Sequence, residues 1–249
     1  MDDAGPAAMM PWRFLPGSGD ELTIVDHASN HVPDGSKLGI DAGLLETHIA
    51  WDIGASALAE ALGFPAFLAT ISRLVIDMNR EKDAPGIVPT SSDGVIIPGN
   101  AGDTSDRISS YWEPYHLALE ERIASTMPRL LVSLHSFTPS LSSRPTDARP
   151  WEIGILYNRD DRAARIAIPL LEAAGVIVGD QLPYSGKILN ATMNRHGEGT
   201  GTPYLGIEVR QDLIDSAEGV TKWARILLPV IEKCAKQLDV DQGVRPFDA

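Results

Sequence analysis

The 249-residue chain has a single cysteine, Cys234. No internal disulfide can form, which points to a reducing, cytoplasmic home. Cys234 falls in a helix-like stretch with Ile231 and Leu238, where packing is its expected role. Basic residues are scarce too: 21 Lys and Arg face 34 Asp and Glu, for a formal charge of −13. Nucleic acid and anionic membranes call for a basic surface, so both are excluded as partners. A field of this sign also repels small anions, so any anion site has to be built locally from arginines. Long apolar runs are missing; none approaches the roughly 20 residues of a membrane span. The start, Met-Asp-Asp-Ala-Gly-Pro, lacks the basic and apolar stretches of a signal peptide. No internal repeat, low-complexity tract or Gly-x-Ser-x-Gly elbow is present. Gly-Glu-Gly-Thr-Gly at 197–201 has no Lys-Ser/Thr after it, so it makes a poor phosphate loop.

What is present suits a globular α/β protein. Apolar residues make up 43% of the chain and charged ones 22%. This length buries a large core, and one domain over residues 1–249 is expected. Residues 1–20, with Pro6, Pro11 and Pro16, read as an irregular arm. Apolar runs predict strands ending at His27 and covering Ala66–Thr70, Leu74–Ile76, Arg129–Leu134, Ile153–Tyr157, Val176–Val178 and Leu205–Arg210. Helical spacing covers Asp41–Glu46, Trp51–Leu62, Ser109–Met127, Asp160–Ala174 and Ala217–Leu238. Strands alternating with helices predict a three-layer α/β/α domain around a mostly parallel, mixed sheet. The loop at 81–107, with three prolines and four glycines, and the loop at 137–150 are long enough to be functional lids.

Chemistry-bearing residues gather at predicted strand ends. They are His27, the pair Asn79-Arg80, and His135. In open α/β sheets the carboxyl edge of the strands is where ligands bind. Asn30 lies three residues after His27, a spacing that lets two side chains turn toward one metal ion. Glu208 lies within an apolar strand, where a carboxylate is costly unless it is paired. An edge strand with one wet face also accounts for Glu208, because Leu205, Ile207 and Val209 alternate with Gly206, Glu208 and Arg210. A catalytic zinc needs about three protein ligands, an open position, a carboxylate to take a proton, and a cation beside the polarised carbonyl. Two histidines, an oxygen donor, Glu208 and nearby arginines supply that set. Cys234 has no histidine near it in sequence and makes a poor nucleophile.

Four segments carry a resemblance: His-Ala-Ser-Asn-His-Val-Pro at 27–33, Ser-Arg-Leu-Val-Ile-Asp-Met-Asn-Arg at 72–80, Leu-His-Ser-Phe at 134–137, and Gly-Ile-Glu-Val-Arg-Gln-Asp-Leu-Ile at 206–214. Through them the chain resembles the N-formylglutamate amidohydrolase family over residues 20–235, a family similar in pattern to the aspartoacylase and zinc carboxypeptidase group. The resemblance implies a zinc-carboxypeptidase-like fold and a metal-dependent hydrolysis of an N-acyl amino acid, N-formyl-L-glutamate above all. It implies zinc held by His27 and His135, with Asn30 where the wider group has a ligand glutamate. That change puts metal affinity and identity in question, and His31 or water is left to supply a further contact. It implies Glu208 as the catalytic glutamate, Arg73 on the scissile carbonyl, and Asn79 with Arg80 on the substrate's α-carboxylate. Arg195, His196 and Arg210 are the cations available for a side-chain carboxylate. Two rivals stay open: a related hydrolase acting on another N-acyl amino acid or a cell-wall peptide, and a metal-free binding protein on the same scaffold.

Overall fold

The computed structural model describes residues 9–241. In chain order the first half has β1 (Trp12–Leu15), β2 (Glu21–Val25), α1 (Ala55–Leu62), β3 (Ala66–Ala69), β4 (Ser91–Ser92), β5 (Val95–Ile96), α2 (Ser105–Arg107) and α3 (Glu113–Thr126). The second half has β6 (Leu130–Phe137), β7 (Ile153–Leu156), α4 (Arg162–Ala173), β8 (Val178–Asp180), α5 (Ala191–Met193), β9 (Tyr204–Arg210) and α6 (Ala217–Asp241). Two π-helical turns interrupt them, Ile108–Trp112 before α3 and Asn194–Glu198 after α5.

Seven strands form one sheet in the order β1-β3-β2-β6-β9-β7-β8. The four central strands β3, β2, β6 and β9 run parallel. Interior parallel strands are covered on both faces, which is why they read as near-continuous apolar runs; every residue of β3 and β6 is buried. β7 returns antiparallel to β9, and β1 lies antiparallel to β3. The sheet is therefore mixed and mostly parallel, as expected. Helices flank it. α1 buries Ala55, Leu58, Ala59 and Leu62, a three-and-four spacing that gives one apolar stripe. It stops at Gly63, which takes the left-handed conformation (φ 74°) that a helix C-terminus favours in glycine. α1 and α4 both pack on α6, which buries Val220, Trp223, Leu227, Ile231 and Cys234. The Cys234 Sγ sits 3.6 Å from the Ala163 carbonyl oxygen of α4. α3 sets Tyr115 against Phe67 of β3. No helix of the described residues is long and apolar enough to cross a membrane.

The fold departs from expectation in several places. The N-terminal arm is not irregular throughout: Trp12–Leu15 is strand β1, held by β3. Residues 1–8 of that arm lie outside the described residues. Leu74–Ile76 is buried but is not a strand; residues 72–80 are a chain of turns. Their carbonyls find side-chain donors instead of a neighbouring strand, Asn100 on Leu74 and Arg107 on Val75. His135 and Ser136 lie inside β6 rather than beyond its end. β9 has β6 on one side and β7 on the other, so the wet edge-strand account of Glu208 does not hold.

Candidate active site

The carboxyl ends of β2, β6 and β9 meet at a cavity of about 280 Å³. His27, Arg73, Asn79, Arg80, His135 and Glu208 all line it, together with Asp52 and Asp77. Register explains part of the gathering: His135 on β6 stands directly opposite Glu208 on β9.

The deep end holds two imidazoles and a carboxylate. One ligand atom each from His27, Asp52 and His135 lies within 4.8 Å of the others. Nδ1 of His135 is 2.8 Å from Oδ2 of Asp52, and Nδ1 of His27 is 3.4 Å from the same oxygen. Outer carboxylates back both rings. Nε2 of His27 is 2.7 Å from Oδ1 of Asp77, and Nε2 of His135 is 3.6 Å from Oδ2 of Asp26. Asp26 is itself held by the Tyr115 hydroxyl at 2.7 Å. Two imidazole nitrogens and one carboxylate oxygen converging, with carboxylates behind the rings, is a donor set and an outer layer that fits zinc.

Burial raises the cost of every charge here, and the neighbours answer it. It pushes the Asp52 carboxyl up, but His27 and His135 hold it well below the usual carboxylate range. It pushes both histidines down, and the carboxylates around them nevertheless keep both above the ordinary imidazole value. Glu208 is different. Burial pushes it up, His135 pulls it down, Asp52 pushes it up again, and it comes to rest at about 7. A carboxyl poised there can both take and return a proton near neutral pH.

Cations line the rest of the cavity. Arg73 donates to Oδ1 of Asp52 at 3.2 Å and lies 3.6 Å from Asp77. Arg80 lies 3.5 Å from the same Asp77 oxygen. Asp77 thus aligns His27, Arg73 and Arg80 at once. The Asn79 side-chain oxygen accepts the Thr192 backbone N–H at 3.0 Å, so the donors it has left are its amide hydrogens. The two long loops supply outer wall through Ser92, Asp93, Thr138, Leu141, Ser143 and Arg144. Asp93 ties them together by accepting the backbone N–H groups of Ser142 and Ser143 at 2.8 and 2.9 Å.

Four predicted residues do not join this cavity. Asn30 turns away and donates to Glu46 at 3.1 Å; Asp52, not Asn30, completes the donor set with the histidines. Arg210, the last residue of β9, is held by Asp212 at 2.7 Å. Arg195 lies over the Trp112 ring at 4.8 Å, and His196 pairs with His116. The π-helical turn Asn194–Glu198 carries both of these behind the cavity. The cation that does line the outer cavity is Arg144; His48 lines it too, 3.1 Å from Asp93, but burial holds its ring below the ordinary imidazole value. Asp52 and Asp77 were missed, although each is a carboxylate inside an apolar run, the criterion that singled out Glu208. Applied to Ile49-Ala-Trp-Asp-Ile53 and Leu74-Val-Ile-Asp-Met78, it finds both.

Comparison with known proteins agrees with this fold. The chain is similar to the gene product Atu2144 of Agrobacterium tumefaciens, with 29% identity, a TM-score of 0.86, and coverage of 93% of this chain and 97% of the other. It shares its fold with an N-formylglutamate amidohydrolase of Ralstonia eutropha JMP134, at 21% identity, a TM-score of 0.70, and coverage of 95% and 100%. No curated protein matches the sequence. The family model for N-formylglutamate amidohydrolase matches residues 20–215, which spans the four segments and the whole cavity floor, and the chain belongs to that family.

Proposed function

We propose that this protein is a metal-dependent amidohydrolase that hydrolyses N-formyl-L-glutamate to formate and L-glutamate. The observation that carries the reading is the gathering of Glu208, a buried carboxyl directly opposite His135, with Arg73 and the His27–Asp52–His135 donors in one cavity. A metal bound by His27, Asp52 and His135 would supply Lewis-acid polarisation and make water acidic enough to lose a proton near neutral pH. Glu208 takes the proton from the attacking water and later delivers it to the departing amine nitrogen. Arg73 donates to the oxygen that gains charge as the carbonyl becomes tetrahedral. Arg80 grips the α-carboxylate in bidentate fashion, and the Asn79 amide adds a further donor. Asp77 orients His27, Arg73 and Arg80, so metal site and carboxylate grip share one support. A cavity of about 280 Å³ walled by two loops suits a small N-acyl amino acid better than a cell-wall peptide, which needs an open groove.

The test is formate release from N-formyl-L-glutamate by purified protein, with metal content measured in parallel. Turnover that rises with zinc loading supports the reading. Metal-loaded protein that releases no formate from this substrate overturns it.

A further inference from the structure

Two buried histidines belong neither to the donor set nor to the cavity lining. His116 on α3 has Nε2 3.0 Å from the Met78 carbonyl oxygen. A carbonyl only accepts, so Nε2 carries the hydrogen and Nδ1 of the neutral ring is a lone pair. Nε2 of His196 lies 2.9 Å from that Nδ1, so His196 donates to His116. The two rings lie edge to edge and nearly coplanar, centroids 5.1 Å apart with an 11° tilt, as an in-plane N–H···N bond requires. Burial pushes His116 down to about 4 and His196 to about 3, which keeps both neutral and the order of donors fixed.

This pair ends on Met78, the residue before Asn79 and Arg80. Trp112 acts at the other side of the same turn: its Nε1 donates to the Arg80 carbonyl at 3.0 Å, and its ring packs 4.2 Å from His116. Residues 72–80 have no strand or helical ladder of their own. These donors from behind hold the Met78–Arg80 end, where Thr192 also donates to the Met78 carbonyl at 3.5 Å, while Asn100 and Arg107 hold Leu74 and Val75. Trp112 and His196 each sit on a π-helical turn, a rare local geometry that recurs at functional sites.

We propose that the His116–His196 pair, with Trp112, positions the Asn79–Arg80 turn for its grip on the substrate's α-carboxylate. They are positioning residues for binding and take no part in the proton transfers. This rests on the reading of Arg80 and Asn79 as the carboxylate anchor.

His116→Phe keeps a ring against Trp112 but has no donor for Met78. It should raise KM for N-formyl-L-glutamate on the order of tenfold, the scale of one lost hydrogen bond, while kcat holds within about threefold. It should also weaken the preference for the free acid over its α-amide. His116→Gln, whose terminal amide still donates, should recover most of the affinity. Trp112→Phe should move KM the same way by a smaller factor, and it carries the test if His116→Phe does not fold. Arg80→Lys, measured alongside, separates the two claims. It should lose roughly tenfold to a hundredfold in kcat/KM, because the planar fork is gone. Wild-type acid preference in Arg80→Lys overturns the anchor reading, and this proposal with it. Loss of that preference in Arg80→Lys, with wild-type KM in both His116→Phe and Trp112→Phe, overturns the positioning role alone.

Discussion

His27 and His135 stand ring to ring at 5.0 Å, and His116 and His196 at 5.1 Å. All four are buried. In each couple burial works against the charged form. Around the first couple Asp52, Asp77 and Asp26 more than answer that cost, and both rings are held above the ordinary value. Around the second the partner is a backbone carbonyl and the other ring, so both fall, to about 4 and about 3. Equal burial thus gives opposite outcomes, and the neighbour decides which. The carboxylate-lined couple offers donors that could hold a metal ion. The carbonyl-lined couple is a pair of neutral donors that holds backbone.

The contrast is broken hardest by removing the group that the first couple faces. Glu208→Gln keeps shape and leaves His27, Asp52 and His135 intact. Turnover should drop by roughly 10²–10⁴-fold, the usual scale for a lost general acid–base, with metal content unchanged. A metal-loaded Glu208→Gln protein with near wild-type kcat would refute the assignment of chemistry to this end of the cavity.

Metal uptake sharpens the same contrast. Asp77→Asn weakens the support behind His27 and should cost roughly 10–100-fold in zinc affinity. Asp52→Ala should cost at least as much, since it deletes a donor. Asn30→Ala and His116→Phe should both take up zinc like wild type. Zinc titration against a competing chelator reads all four. Loss of zinc in Asn30→Ala, with wild-type affinity in Asp52→Ala, would restore the His-x-x-Asn site and remove the carboxylate from the donor set.

How much of this was legible follows from whether the cause is local. β2, β3, β6 and β9 are interior strands whose apolar runs advertise them, and α1 and α6 carry clear helical stripes. β1 was hidden because three half-buried residues and the exposed Arg13, between Pro11 and Pro16, owe their order to β3, far along the chain. Leu74–Ile76 looked like a strand because burial selects the same residues whether the backbone meets a strand or the side chains of Asn100 and Arg107. Among site residues, His27, Arg73, Asn79, Arg80, His135 and Glu208 fell in motifs that stay together in space. Arg195, His196 and Arg210 were drawn from an inventory of cations, and charge alone gives no direction. Only the π-helical turn and Asp212 reveal where they point.

The smallest expected effect separates the couples by stability alone. The unfolded chain protonates His116 near 6.5, whereas the native protein resists until about 4. Between those values the unfolded state holds the extra proton, so stability rises with pH and is lost as pH falls below about 6.5. Each such histidine contributes at most about 1.4 kcal/mol per pH unit in the middle of that window, a factor of ten in the folding equilibrium. His196 behaves alike, with its native value lower still. Asp26, which favours the charged His116, and Arg195, which opposes it, remain in place when His116 is replaced. His116→Phe removes this titration and with it the ring that helps push His196 down, and both changes make the variant less sensitive to acid. The difference in unfolding free energy between wild type and His116→Phe should therefore shift by roughly 1 kcal/mol for each unit between roughly pH 5 and 6.5. The direction is fixed: acid should weaken wild type more than the variant. Denaturant unfolding at several pH values across that window measures it. Parallel profiles for the two proteins would mean that native His116 binds its proton as readily as the unfolded chain does, and the distinction between the two couples would disappear.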